Sequence, residues 1–321
     1  MEKHKVLIPQ AIAREGVQVL ENHGLEPVIL AQHDRQTILD SVAACSAILV
    51  RTATIDREVI EKAPSLRVIA RHGVGIDNID VQAASERGIY VCNTPHANSN
   101  SVAEHTIGLM LALAHQIVRA DKALRQGHFH VRNEYIGCEL AGKQLGLIGF
   151  GNSGRRVAEK AALGLGMNVA VFDPYLKDTA GLSHIRREES LETLLAESDF
   201  LSLHLPYTDT LHHFIDAAAI EKMKPGAILI NAARGGLIDE EALYAALRSG
   251  HLAAAGLDCF EQEPPAADHP LWSLDNVVVT PHMAAHSREG LVAMAAGAAQ
   301  EIVRVLAGEP PHSWANRPRK E

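Results

Sequence analysis

The stretch Gln144-Leu-Gly-Leu-Ile-Gly149-Phe-Gly151-Asn-Ser-Gly154-Arg-Arg-Val-Ala decides how the rest of the chain is read. An apolar run, Gln144–Ile148, leads straight into GxGxxG, and a helical pattern over Arg155–Leu163 follows. In that strand–turn–helix setting the glycines fit a dinucleotide pyrophosphate. Gly149 permits the tight turn, Gly151 lets the backbone approach the ligand, and Gly154 lets helix and strand pack closely. The anion would rest on free N–H groups at the helix N-terminus, where the helix dipole favours negative charge. Alone the pattern is weak, because glycine-rich turns are common.

A second apolar run, Asn168–Phe172, ends at Asp173, nineteen residues after Gly154. A carboxylate there accepts hydrogen bonds from a ribose diol and repels a 2′-phosphate, which favours NAD over NADP. The plain alternative for Asp173 is a turn residue before Pro174. Together the two signals favour the dinucleotide.

On both sides of this stretch, short apolar runs alternate with helical patterns, the texture of α/β units around parallel sheets. Upstream the strand candidates are 5–8, 27–30, 47–50, 67–70 and 89–92, with amphipathic stretches at 14–22 and 35–44. Downstream come 200–204, 227–230, 253–257 and 277–280. Between the two series, 102–124 reads as one long helix opened by a Ser/Asn-rich capping region at 98–101, a natural interdomain connector. The Ala-rich helical pattern 287–306 could return to the first domain and make it discontinuous. The fold class is α/β, with two doubly wound parallel-sheet domains.

Composition agrees. At about 150 residues per domain, 321 residues suggest two domains. With 47% hydrophobic and 21% charged residues, the chain is neither disordered, collagen-like nor a long coiled coil. The net charge is −9, and the one basic run, Arg317–Lys320, is short, which argues against nucleic acid as a partner. The four cysteines form no CxxC pair, so neither a metal site nor a disulfide framework is expected. The first residues lack the apolar stretch of a signal peptide, and no run of about 18 apolar residues suggests a membrane span. The expected location is cytoplasmic.

In open α/β sheets, ligands bind beyond the carboxyl ends of the strands. Arg234 follows the run 227–230, Asp258 and Glu263 follow 253–257, and His282 follows 277–280. Hydride transfer to a 2-keto acid needs a cation for the carboxylate and an acid for the forming alkoxide. Arg234 offers a bidentate fork, and His282 a proton donor that titrates near working pH. Glu263 is the candidate carboxylate to orient that histidine and favour its charged form. Each has a bland reading: a surface arginine, a turn residue before Pro264, a loop histidine. For Asp258, a contact to the nicotinamide amide and a helix cap stay open.

The sequence resembles the D-isomer-specific 2-hydroxyacid dehydrogenase family over nearly its whole length. The resemblance runs from Ile48-Leu-Val-Arg51-Thr-Ala-Thr54 through Arg71-His-Gly73-Val74-Gly75-Ile-Asp-Asn-Ile-Asp80 to Asn93-Thr-Pro95 and Ser101-Val-Ala-Glu104-His105. It continues through the glycine loop, His204-Leu-Pro206, Asn231-Ala-Ala-Arg-Gly235, Asp258-Cys-Phe-Glu-Gln-Glu-Pro264 and Thr280-Pro-His282. It implies a discontinuous substrate domain, 1–98 with 287–321, into which a Rossmann-type NAD-binding domain, 99–286, is inserted. It implies Arg234, Glu263 and His282 as the catalytic set. Asn152, Ser153, Asp173, His204, Ala232 and Asp258 would join the three glycines on NAD, while Gly73, Val74 and Gly75 offer backbone N–H groups to the substrate carboxylate. A homodimer built around the 102–124 helix is implied as well, and closure between domains that excludes water during hydride transfer.

Substrate is less legible. The expected substrate is a small anionic 2-keto or 2-hydroxy acid such as hydroxypyruvate or glyoxylate. Arg51 resembles the phosphate-binding arginine of D-3-phosphoglycerate dehydrogenases, with an exposed strand-end arginine as the alternative. The chain stops at Glu321, leaving no room for the regulatory extension that many of those enzymes carry. Thr280-Pro-His-Met-Ala-Ala-His286 looks closer to hydroxypyruvate reductases, and Glu263 in place of a Gln disfavours a formate dehydrogenase. A rival of another class, the C-terminal-binding-protein corepressors, uses a similar fold as an NAD-sensing binding module.

Overall fold

The computed structural model describes residues 3–32, 34–176 and 183–316; the basic run at 317–320 lies outside the described residues. The chain divides into two compact units, one formed by 1–99 with 286–321 and the other by 100–285.

The first unit holds strands β1 (Lys5–Ile8), β2 (Glu26–Ile29), β3 (Cys45–Val50), β4 (Val68–Arg71) and β5 (Tyr90–Cys92). They form one parallel sheet in the order β2-β1-β3-β4-β5. β3 is buried at all six positions, as expected of a strand covered on both faces. The helix Arg288–Leu306 covers one face with Ala298, Ala299, Ile302 and Val305, so the end of the chain completes the core that its beginning starts.

The second unit holds β6 (Gln144–Ile148), β7 (Asn168–Phe172), β8 (Ile185–Arg187), β9 (Phe200–Leu203), β10 (Ile228–Asn231), β11 (Ala254–Leu257) and β12 (Val277–Val279). All seven are parallel, in the order β12-β11-β10-β9-β6-β7-β8. The strand order reverses between β6 and β9, so the crevice beyond their carboxyl ends is the topological switch point of a Rossmann-type sheet. Many of the helices start on a short polar cap. Asp34, Asp56, Asp80, Ser190, Asp216, Asp239 and Ser287 each accept the N–H three residues on, a contact worth about 1 kcal/mol apiece.

Two expectations need correction. The single helix over 102–124 is two helices, Ser99–Ala114 and Ile117–Arg125, and the supposed cap at 99–101 already lies inside the first. The break falls at Gln116, which takes a left-handed φ of 53°. A returning segment competes for the helix end: Cys138 N–H donates to Ala114 O at 2.9 Å, and the Gln116 amide donates to Ile136 O at 2.8 Å. No glycine or proline marks that break, so periodicity runs through it. The sequence reading also lacked β8, a three-residue edge strand whose Arg186 and Arg187 pair with Glu188, Glu197 and Glu189. Charge hides it from any search for apolar runs.

Candidate active site

At the switch point, β6 runs into Gly149, whose φ of 93° is closed to most side chains. A Cβ there would lie 2.6 Å from His204 O, so the backbones leaving β6 and β9 touch. A Cβ at Gly154 would lie 2.5 Å from Gly149 O, whereas Gly151 faces open space. The helix Asn152–Glu159 therefore starts against the turn, with no side-chain cap over its first N–H groups. Asn152 and Ser153 form its first turn. This uncapped helix end beside an open Gly151 fits a dinucleotide pyrophosphate.

Asp173, just past β7, accepts Phe150 N–H through Oδ2 and Tyr175 N–H through Oδ1, each at 2.8 Å. It thereby ties the end of β7 to the glycine turn. A carboxylate has about four lone-pair sites, so acceptors remain for a diol. The His204 ring is turned toward Ser202, with Nε2 3.0 Å from Oγ, and burial pushes its pKa down to about 4. Its ring is neutral at physiological pH, and the backbone of His204 is what meets the glycine turn.

Beyond β10, buried Asn231 shapes the next loop. Its Oδ1 accepts Ala233 N–H at 3.0 Å and its Nδ2 donates to Arg234 O at 2.8 Å, with Ala232 carried in the turn. Arg234 leaves this turn half-buried and donates through Nη1 to Ala233 O at 2.7 Å. Gly235 follows, and a Cβ there would lie 1.9 Å from Phe260 C and O. The loop with Arg234 and the loop with Glu263 are thus packed backbone to backbone.

Glu263 accepts Phe260 N–H at 3.1 Å, and its Oε2 lies 2.7 Å from His282 Nδ1. Burial presses the Glu263 carboxyl upward, but the His282 hydrogen bond and charge, Phe260 N–H and the Arg234 charge outweigh it and hold it below the usual range. Arg234, Glu263 and His282 therefore form one electrostatic group. Beside them lies a mostly apolar hollow of about 320 Å³, lined by Phe260, Pro264, Trp272, Pro281 and the two partners Glu263 and His282.

His282 itself has a left-handed φ of 49°, a conformation that costs a non-glycine residue about 1 kcal/mol. Asp258 holds the loop around it. This fully buried carboxylate accepts the Thr280 hydroxyl at 2.5 Å and Met283 N–H at 2.8 Å through Oδ1, and Ala284 N–H at 2.7 Å through Oδ2. His105 Nε2 lies 2.9 Å from Thr280 Oγ1 and 3.5 Å from Asp258 Oδ1. Reading the sequence did not assign roles to Thr280, His105, Asn231 or Gly235. The Thr-Pro-His and Asn-Ala-Ala-Arg-Gly strings contained the signal, since short polar residues flanking a functional side chain commonly fix its loop.

In the first unit, Arg51 leaves β3 half-exposed and donates through Nη1 to Ala11 O at 2.9 Å. The Gly73–Val74–Gly75 turn follows β4. Thr94 braces it, donating N–H to Gly73 O at 2.9 Å and accepting Gly73 N–H at 3.1 Å.

The family model for the D-isomer specific 2-hydroxyacid dehydrogenase NAD binding domain matches residues 107–284, more than half of the chain. The chain belongs to the D-isomer specific 2-hydroxyacid dehydrogenase family. Among the family's curated members, a hydroxypyruvate reductase of Thermotoga maritima is 44% identical over 293 residues, covering 90% of this chain and 94% of that one. A D-3-phosphoglycerate dehydrogenase of Archaeoglobus fulgidus is 42% identical over 319 residues, covering 99% of this chain. The chain spans only 60% of that relative's length. Among solved structures, an NADPH-dependent glyoxylate/hydroxypyruvate reductase of Sinorhizobium meliloti superposes with a TM-score of 0.87 at 28% identity, each chain covered in full. Among the described residues, no helix is long and apolar enough to cross a membrane.

Proposed function

We propose that this family member is an NAD(H)-dependent D-2-hydroxyacid dehydrogenase that reduces a small 2-keto acid such as hydroxypyruvate or glyoxylate. The observation that carries the reading is the His282–Glu263 pair, 2.7 Å apart at the carboxyl edge of a Rossmann-type sheet. Gly149, Gly151, Asn152, Ser153 and Gly154 hold the pyrophosphate, Asp173 the ribose, and Ala232 and Asp258 the nicotinamide end. When bound, the dinucleotide supplies a hydride to C2 of the substrate.

Glu263, ionised, accepts the Nδ1–H of His282 and so presents Nε2 as the proton donor. As the carbonyl π bond is lost, His282 gives its proton to the developing alkoxide and is left neutral. Arg234 binds the substrate carboxylate and draws electron density toward the carbonyl oxygen. In the Gly73–Val74–Gly75 turn, the N–H groups of Val74 and Gly75 are donors suited to a substrate carboxylate. The Asp173 carboxylate supports NAD over NADP, in contrast to the Sinorhizobium reductase.

A homodimer accompanies this reading. Ile117, Val118 and Leu124 are 53%, 48% and 56% exposed on consecutive turns of one helix, next to an apolar hollow lined by Leu113, Trp272 and Val278. Apolar faces of this kind fit a second copy better than water. Four cysteines without a disulfide support a cytoplasmic location.

A second substrate class is favoured by Arg51 at the end of β3, next to the point where the strand order of the first sheet reverses. There it can hold a phosphate, as in a D-3-phosphoglycerate dehydrogenase. NADH oxidation with hydroxypyruvate, glyoxylate, pyruvate, phenylpyruvate and 3-phosphohydroxypyruvate separates the two. Preference for an unphosphorylated acid supports the first; preference for the phosphorylated one, lost in Arg51→Ala, supports the second. NADH binding without turnover on any of them overturns both.

A further inference from the structure

The last described residues of the chain do not trail away. His312 N–H donates to the buried Glu301 carboxylate at 2.8 Å, Ala315 N–H donates to Val91 O at 2.8 Å, and Trp314 bridges Cys92. Asn316 closes the run, accepting Val91 N–H at 2.9 Å and donating to Ile89 O at 2.8 Å. Residues 312–316 thus form a strap along β5, the otherwise open edge of the first sheet.

From this strap a short chain of hydrogen bonds leads to the substrate turn. Ser313 Oγ donates to Asn93 Oδ1 at 2.7 Å, and Asn93 Nδ2 donates to Val74 O at 2.8 Å. On the other side of the turn, Asn78 Nδ2 donates to Ala53 O at 2.7 Å. Among the described residues, the N–H groups of Val74 and Gly75 find no acceptor in the protein, and Val74 is 41% exposed. Fixing Val74 O rotates the following peptide plane as a unit, because the peptide is planar. The plane that carries Val74 O also carries Gly75 N–H on its opposite edge.

We infer that Ser313 and Asn93 are positioning residues: through Val74 O they aim the Gly75 N–H, and with it the Gly73–Gly75 turn, at the substrate carboxylate. The inference rests on the proposed role of that turn. It makes the C-terminal strap part of the substrate-binding apparatus. Asn93 is suited to the task because one amide both accepts from the strap and donates to the turn, whereas an ionised Asp can only accept.

The test uses the full chain with NADH and oxamate, an unreactive mimic of a 2-keto acid. Hydrogen exchange first asks whether oxamate protects the amides of Val74 and Gly75. Steady-state reduction is then measured for Asn93→Ala, Ser313→Ala, Ser313→Thr and the Asn93→Ala/Ser313→Ala pair. The expected result is protection in the wild type and a KM for the keto acid raised about fivefold by Asn93→Ala, the loss of roughly one hydrogen bond. Ser313→Ala should shift KM in the same direction, with kcat and NADH affinity within about twofold, and the pair no worse than Asn93→Ala alone because both lie on one chain of bonds. Ser313→Thr, which keeps the hydroxyl, should restore KM. A purely structural role would lower the melting temperature and leave KM where it was. Protection with an unchanged KM in Asn93→Ala overturns the inference alone. Absence of protection overturns the role of the turn and the inference with it.

Discussion

His282 Nδ1 and Glu263 Oε2 lie 2.7 Å apart, one side chain from the loop after β12 and the other from the loop after β11. A carboxylate at that distance fixes which ring nitrogen faces outward. Glu263→Gln keeps the shape and removes the charge. With the orienting charge gone, kcat for reduction should fall by about tenfold or more, with NADH affinity within about twofold of wild type. A kcat close to the wild-type value would show that Glu263 does not orient the proton donor.

Asp258 is 1% exposed and accepts three hydrogen bonds from the loop that bears His282. Asp258→Asn would turn an amide donor toward Met283 N–H or Ala284 N–H. Leaving one such buried donor unmatched costs about 1–3 kcal/mol. Thermal unfolding should shift down by several degrees, and kcat should fall even at saturating NADH, because His282 loses the clamp on its left-handed backbone. Loss of NADH affinity with normal kcat would place Asp258 on the cofactor alone.

Gly235→Ala should be among the most damaging single-methyl changes, since the new Cβ would lie 1.9 Å from the Phe260 backbone. Overpacking of backbone against backbone costs about 3 kcal/mol or forces the two loops apart. Arg234 and Glu263 ride on those loops, so activity should fall even in protein that remains folded. Circular dichroism with parallel kinetics checks both effects; a fully active, equally stable variant would contradict the packing.

His72, buried beside the Gly73–Gly75 turn, has its pKa pushed from 6.5 to about 4 by burial and by the charges of Arg51 and Arg71. The unfolded chain therefore takes up a proton that the folded one refuses. The stability this group contributes is complete above pH 6.5 and is lost as the pH falls toward 4, on the order of 3 kcal/mol in all. Urea unfolding between those pH values should show a shallower decline in His72→Gln than in the wild type. Equal slopes would show that His72 is not buried as a neutral ring.

Sequence pattern and structure agree where one physical signal dominates. β3 is visible through its apolar run 47–50 and β7 through 169–172, because burial on both faces demands apolar residues, and Gly149 and Gly154 because only glycine fits those contacts. Agreement fails where a tertiary contact decides. The break at Gln116 depends on the segment 136–138 arriving from elsewhere, and β8 is held by pairing with β7 despite its arginines. The site divides in the same way. Arg234, Glu263 and His282 are legible only jointly, as complementary chemistry at the ends of neighbouring strands, whereas the contacts that join Asp258 to Thr280 and His105 are tertiary and no local pattern shows them.

In this reading His282 donates the proton that accompanies hydride transfer. Single-turnover oxidation of bound NADH with the best keto acid of the panel, in the wild type and in His282→Asn, measures that step alone. The rate should be about 10²–10⁴-fold lower in the variant, with NADH affinity unchanged. A variant that oxidises NADH at close to the wild-type rate would contradict it.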